Sequence, residues 1–262
     1  MENDSFADNY SHMDQLRKYA EDLAEVYRSE KEKRIELEAA NQQLIRYAVD
    51  FNKTLLELKT THIQLQEAYL DTIYRLALAA EYKDEETGNH IIRMSRYCSL
   101  IAEKLGLPAR DVQNIRYASP MHDIGKIGIP DSILLKPGKL TPEEFEIMKT
   151  HTIIGAKILA DSNAEIIQVA QQIALSHHEK WNGDGFPQGL VEANAPLTAR
   201  IVGIVDVFDA LISRRPYKEP YPVKVALEII EDGRGKKFDP MLVDILFENI
   251  DQILEIEKEI RQ

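Results

Sequence analysis

His122 and Asp123 stand side by side with Lys126 three residues on, and His177 and His178 form a second adjacent pair followed by Glu179. Cation-binding side chains that adjoin and recur along a helical sequence are what a centre of several metal ions requires. Five of the seven histidines (His90, His122, His151, His177, His178) fall between residues 90 and 178. A lone histidine is more often a satisfied core or surface residue. Five in one region, two adjacent and one beside an aspartate, reverse that expectation. Imidazole and carboxylate donors suit Fe, Mn, Ni, Zn or Co, and no thiolate is at hand to select a softer ion.

Spacing sharpens the reading. Consecutive helix residues diverge by about 100°, so His122 and Asp123 serve neighbouring ions best if Asp123 bridges them. The same divergence lets His177 and His178 address different sides of a cluster. Glu86 and His90 are four apart and share one face if the turn is helical. Asp206 lies within the apolar run Ile201-Val-Gly-Ile-Val-Asp206-Val-Phe-Asp209-Ala-Leu211, where a carboxylate is costly to bury unless it is paired or bound to metal. Each of these two acids is ambiguous alone; in this company both are candidate ligands.

Helices must position these residues. From about Met13 to Tyr69 the chain has no Pro or Gly, and Leu16, Leu23, Leu37, Leu44, Phe51, Leu58 and Leu65 keep a seven-residue register broken only at Glu30. The companion seam three residues on is weak, with Lys33, Thr54 and Thr61 in it, so a marginal coiled coil is expected. A helix of roughly 55 residues extends about 80 Å and cannot bury its own stripe, which predicts a parallel homodimer. His12 and His62 are expected to face solvent. From about Leu70 onward the pattern is globular and helical: Met94, Tyr97, Cys98, Ile101 and Leu105 keep helical spacing and end at Gly106. Thr141-Pro142-Glu143-Glu144 reads as a capped helix start. Apolar repeats follow through residues 153–159, 166–175, 197–212, 223–230 and 241–250. Lys180 to Ala195, with three Gly and a Pro in residues 182–189, reads as a defined loop. The expected organisation is thus a helical, coiled-coil region over 1–69 and an all-α domain over 70–262.

Composition excludes some classes. A chain of 262 residues with 44% hydrophobic and 29% charged residues can bury a substantial core. Its net charge of −12 argues against general nucleic-acid binding, although bound cations make a local pocket positive. No apolar run approaches the roughly 20 residues of a membrane span. The acidic start Met1-Glu-Asn-Asp-Ser does not read as a secretory signal. One cysteine, Cys98, excludes an internal disulfide, fits a reducing, cytoplasmic location, and lies in an apolar stripe that points to a buried thiol.

At the residues that bear chemistry, residues 70–249 resemble the HD-GYP family of bacterial cyclic-dinucleotide phosphodiesterases, within the HD superfamily of metal-dependent phosphohydrolases. The likeness rests on Glu86-Thr-Gly-Asn-His90, His122-Asp-Ile-Gly-Lys126-Ile-Gly-Ile-Pro-Asp131 and His151-Thr-Ile-Ile-Gly155. It continues in His177-His-Glu-Lys-Trp-Asn-Gly-Asp-Gly-Phe-Pro187, Asp206-Val-Phe-Asp209-Ala and Arg215-Pro-Tyr-Lys218. The resemblance implies an all-helical HD-type bundle and hydrolysis of cyclic di-GMP. It implies metal ligands at His90, His122, Asp123, His151, His177, His178 and Asp206. Glu86 resembles the position that accompanies three metals rather than two, with iron or manganese the expected occupants. Lys126, Arg215 and Lys218 would meet phosphate oxygens, and Asp84 would handle protons.

The family's Gly-Tyr-Pro is Gly185-Phe186-Pro187 here. Phenylalanine keeps a ring able to stack on guanine but loses a hydroxyl hydrogen bond of roughly 0.5–1.5 kcal/mol. Trp181 and Phe186 read equally as loop anchors. The expected mechanism is in-line attack of a metal-bridging hydroxide, opening the ring to linear pGpG and, with a third ion, proceeding to GMP. Alternatives are hydrolysis of another cyclic dinucleotide, such as a mixed GMP-AMP ring, and a catalytically weak receptor that signals to a protein partner through its N-terminal helix. A structural adaptor whose metals only brace the fold is a further alternative.

Overall fold

The computed structural model describes residues 3–84, 88–213 and 219–261. Ten α-helices lie among them: α1 (Asn3–Glu81), α2 (Gly88–Lys104), α3 (Ala109–Ala118), α4 (Asp131–Leu134), α5 (Pro142–Ile158), α6 (Glu165–Ser176), α7 (Leu197–Ile212), α8 (Val223–Asp232), α9 (Pro240–Glu248) and α10 (Ile250–Arg261). Among the described residues there is no strand, only isolated bridges at Asn182–Val191 and Arg234–Phe238. The all-α expectation holds. No described helix is long and apolar enough to cross a membrane.

The chain divides into two compact units, Met1–Glu67 and Ala68–Gln262. In the first, every described side chain from residue 12 onward is exposed, including the heptad residues Leu16, Leu23, Leu37, Leu44, Phe51, Leu58 and Leu65. His12 and His62 are exposed as well. Pairs four residues apart, Arg17–Glu21, Arg34–Glu38 and Lys53–Glu57, line this segment. Such exposed pairs contribute only about 0.3–0.5 kcal/mol each. The heptad row ends near residue 69, and α1 continues past it to Glu81. The reason is a change of stripe rather than a break. No Pro or Gly intervenes, and Ile73, Ala77, Ala80 and Glu81, which share one helical face, are all buried.

In the second unit the core gathers around α2 and α7. Ile91, Met94, Tyr97, Cys98 and Ile101 of α2 are completely buried, as are Ile201 and Val202 of α7, with Ile204, Val205 and Phe208 close behind. Side chains of this kind contribute about 1.5–3 kcal/mol each when fully removed from water. Cys98 lies inside this cluster, and burial pushes its thiol pKa well up, so it packs as an inert apolar group. Helix α2 gives way to Gly106 in the left-handed region at φ +73°, the conformation glycine adopts without strain. Helix α5 starts as its sequence predicts: Thr141 accepts from the Glu144 amide, Glu144 accepts from the Thr141 amide, and Pro142 is the first residue. That fixed start sets the rotation that places His151 three turns of chain further along.

Two close approaches then fix the segment after His122. Gly125 packs against the backbone of α5 so tightly that an added Cβ would lie 2.5 Å from the Gly155 nitrogen. Lys83 donates to the carbonyls of Ile127 and Ile129 at 2.8 and 2.7 Å, tying the 3-10 turn Tyr82–Asp84 to that segment.

Candidate metal centre

His90 comes from α2, His122 and Asp123 from the turn after α3, and His151 from α5. His177 and His178 follow the end of α6, and Asp206 lies in mid-α7. The fold brings these seven residues together around one centre, with Lys126 beside them. Asp123 lies among three of the histidines and Lys126. Its Oδ2 lies 3.4 Å from His122 Nε2 and 2.8 Å from Lys126 Nζ, while its Oδ1 lies 3.3 Å from His151 Nε2 and 3.5 Å from His177 Nε2. Asp206 Oδ1 approaches the other end, 3.8 Å from His90 Nε2 and 4.0 Å from His122 Nε2. Two clusters of potential ligand atoms result, one of Asp123, His151, His177 and His178 and one of Glu81, His90 and His122.

Each of four imidazoles is aimed by a contact at its far nitrogen. Nδ1 of His122, His151 and His177 faces the carbonyl of Ser119, Met148 and Ile173 at 3.0, 2.7 and 3.1 Å. A carbonyl only accepts, so each Nδ1 carries a proton and each Nε2 faces the centre. His90 Nδ1 lies 2.8 Å from Asp209 Oδ2, and Asp209 is itself gripped by Arg93 at 2.5 and 2.8 Å. Carboxylate or carbonyl partners of this kind orient metal-binding histidines and raise their basicity. Asp209 belongs to a motif that the sequence displays, but its role as the partner of His90 emerges only from the packing of α7 on α2.

The centre fits divalent cations. Nε2 of His122, His151 and His177, and Oδ1 of Asp123, are buried and make no hydrogen bond among the described residues. Burying polar atoms without partners costs several kcal/mol in total, at about 1–3 kcal/mol each, and a bound cation satisfies all of them. Charge states agree. Burial, helped by His177 and Lys126, lowers His151 to about 4 against the pull of Asp123. Burial and His177 hold His178 well below the ordinary imidazole range. Both rings are therefore neutral at pH 7, as ligands must be. Burial opposes ionisation of Asp123, yet Lys126 and His122 keep its carboxyl well below the usual range. Burial likewise works against charge on His122, but Asp123, with Asp206 and Glu81 behind it, lifts that imidazole to about 10. A cation at Nε2 takes the place of that proton.

The loop over residues 180–195 is pinned from below. Glu179, largely buried, accepts from the amides of Gln188 and Leu190 at 2.8 and 2.9 Å. Gly183 and Gly189 adopt positive φ. This geometry sets Phe186 against His178, ring centroids 4.7 Å apart and 34° between planes, with Phe145 edge-on at 6.3 Å and Lys149 over its face at 5.6 Å. Trp181 lies under the Arg200 guanidinium, which also pairs with Asp239. Of the remaining sequence candidates, Glu86, Arg215 and Lys218 lie outside the described residues. Asp84 ends a 3-10 turn and its side chain lies outside them too. Sequence reasoning missed Glu81, a buried acid whose ligand atom faces His90 and His122.

Known proteins resemble this chain in sequence. A cyclic di-GMP phosphodiesterase of Thermotoga maritima is 45% identical over 218 residues, 82% of this chain and 57% of that protein. The cyclic di-GMP phosphodiesterase response regulator RpfG of Xanthomonas campestris is 48% identical over 193 residues, 74% of this chain and 51% of that protein. The chain thus spans about half the length of these curated relatives. Among solved structures, a cyclic GMP-AMP specific phosphodiesterase of V. cholerae superposes with a TM-score of 0.54 at 19% identity, over 74% of this chain and 53% of that one, which speaks for the fold. Residues 75–242 match the HD domain family, and by this match and these relatives the chain belongs to that family, in its HD-GYP branch.

Proposed function

We propose that this chain hydrolyses cyclic di-GMP to linear pGpG, and onward to GMP, at a centre of two or three divalent ions, with iron or manganese the occupants. The observation that carries the reading is the set of four buried candidate ligand atoms, on His122, Asp123, His151 and His177, that make no hydrogen bond among the described residues. The named activities of the relatives from T. maritima and X. campestris support the substrate. Bound ions of this type lower the pKa of water and polarise a phosphate.

The protein's own groups do the rest. The carbonyl and carboxylate partners of the four imidazoles keep the ligands oriented, so little reorganisation accompanies turnover. Lys126, held against Asp123, supplies positive charge where a phosphate gains negative charge. Arg215 and Lys218 bind the outer phosphate oxygens, Asp84 handles a proton, and Phe186 offers the exposed part of its ring to a base. The exposed heptad row of α1 supports a parallel homodimer through the first unit, which sedimentation equilibrium of the full chain reads directly; a monomer at micromolar concentration refutes it. A signalling protein can then act on the same helix.

The deciding experiment is product chromatography with anaerobically purified, metal-replete protein offered cyclic di-GMP and a mixed GMP-AMP ring in parallel. His122→Ala/Asp123→Ala should lose its metal and all turnover. Undiminished hydrolysis in that variant refutes the site. Preference for the mixed ring moves the substrate, and tight binding without turnover makes the chain a receptor.

A further inference from the structure

Lys83 stands in the 3-10 turn Tyr82–Asp84 that follows α1, and its ammonium meets three oxygens of a single distant segment. It donates to the carbonyls of Ile127 and Ile129 at 2.8 and 2.7 Å and lies 3.3 Å from Asp131 Oδ1. An ammonium has three donors, so its whole hydrogen-bonding capacity is directed there. The two carbonyls stand at the end of the 3-10 turn Ile124–Gly128. The last carbonyls of a helix lack partners within it, and a cation is favoured beside them. What this turn carries is Lys126, whose ammonium lies 2.8 Å from Asp123 Oδ2. Lys126 is held between two fixed points. Before it, Gly125 is wedged against the backbone of α5 at His151 and Gly155. After it, Lys83 holds Ile127 and Ile129, and the Ile129 amide donates to the Lys126 carbonyl at 3.0 Å. His122 and Asp123 precede the Gly125 contact, and the Ser119 carbonyl aims His122. Lys83 therefore governs the far side of Lys126 rather than the candidate metal ligands.

We infer that Lys83 is a positioning residue for phosphodiester hydrolysis, holding the backbone that aims Lys126 at the phosphate without touching substrate itself. The inference rests on the reading of Lys126 as the cation that meets the phosphate. A charge fixed in advance stabilises a transition state without reorganisation, and displacing such a group by about 1 Å costs on the order of 100-fold in rate. The bland alternative is a tie that only steadies the fold. In that case metal binding falls together with turnover, and the losses from Lys83 and Lys126 add.

Steady-state kinetics of the full-length, metal-replete protein, offered cyclic di-GMP and a mixed GMP-AMP ring in parallel, separate the two when joined to Mn2+ titration of the same variants. Lys83→Met should lower kcat about 10–100-fold while Mn2+ capacity and affinity stay at wild-type levels. Lys83→Arg restores a cation with several donors and should recover most of the rate. Lys126→Ala should lose at least as much kcat. Adding Lys83→Met to it should cost nothing further, because one residue acts through the other. Lys83→Gln carries the same comparisons should the methionine variant fail to fold, and failure of both to fold would make Lys83 a folding element and overturn the inference. Wild-type kcat in Lys83→Met, additive losses in the double variant, or Mn2+ binding that falls along with the rate would overturn it too. Undiminished turnover in Lys126→Ala would overturn the reading of Lys126, and wild-type protein that hydrolyses neither ring would overturn the hydrolase reading. Both results are distinct from additivity between the two lysines.

Discussion

Asp209 Oδ2 meets His90 Nδ1 at 2.8 Å while Arg93 clasps the same carboxylate from the other side. Asp209 is 1% exposed, so this three-residue unit lies wholly inside the protein and fixes the direction in which His90 points. Asp209→Asn keeps the shape but removes the charge, leaving Arg93 buried beside a neutral amide. Metal affinity should fall about 10–100-fold. The metal-free variant should also lose about 3–5 kcal/mol of stability, as when one partner of a buried pair is removed. Burial would raise the Asp209 pKa, but Arg93 and His90 bring it down to about 2. A depressed folded-state pKa stabilises the protein above the unfolded value near 3.8 and is lost as pH falls through 2. Roughly 2 kcal/mol of the wild-type advantage is tied to this ionisation. In chelated protein, the gap in urea stability between wild type and Asp209→Asn should therefore be constant above pH 5 and narrow between pH 4 and 2. A gap that stays fixed down to pH 2 would detach the pair from folding.

Gly125 tests whether the centre depends on close backbone contact. An alanine methyl there would run into the His151 carbonyl and lie 2.5 Å from the Gly155 nitrogen, and backbone cannot swing aside as a side chain can. Gly125→Ala should cost about 3 kcal/mol or more. It should also weaken metal binding, because His151 moves with the α5 backbone that must retreat. Gly155→Ala faces a nearest atom 3.2 Å away, the Ala174 methyl, and should be milder. Thermal melts and Mn2+ titration of the two variants check the order; equal effects would show that the contact at Gly125 is not the constraint.

How far the sequence reveals all this depends on the kind of signal each residue carries. His122-Asp123 and His177-His178 are legible because adjacent ligand types are rare without a shared ion, and Asp206 because a charge in an apolar helix needs a reason. The capped start of α5 and the Gly106 end of α2 are legible because they are local chemistry. The true end of α1 is not. Its heptad row fades near residue 69, and the face bearing Ile73, Ala77 and Ala80 has meaning only once the helices it packs on are known. Glu81 is hidden for the same reason. At the end of Leu76-Ala-Leu-Ala-Ala80 a single acid reads as a solvated residue, and only tertiary packing turns it toward His90 and His122. Asp209 is visible in its motif, yet its bond to His90 joins residues 119 positions apart. Pattern within one helix cannot supply such a pairing.

Phe186 carries two readings that substitution can separate. Its ring centroid lies 4.7 Å from that of His178, and Lys149 covers part of its face, so it packs against a histidine of the candidate metal centre while remaining half-buried. Aromatic contacts of this kind contribute about 0.5–1.5 kcal/mol. If the ring holds His178 in its binding orientation, Phe186→Ala should weaken Mn2+ binding by about 2–10-fold. Phe186→Tyr adds a hydroxyl at the ring's far carbon and retains the stack, so its metal affinity should stay within about twofold of wild type. Metal titration thus reads the brace alone. Steady-state kinetics then read the base contact, since a hydroxyl that meets guanine should lower KM for cyclic di-GMP in Phe186→Tyr with kcat little changed. Unaltered Mn2+ affinity in Phe186→Ala would remove the brace, and an unaltered KM in Phe186→Tyr would leave the missing hydroxyl of this chain without consequence for substrate binding.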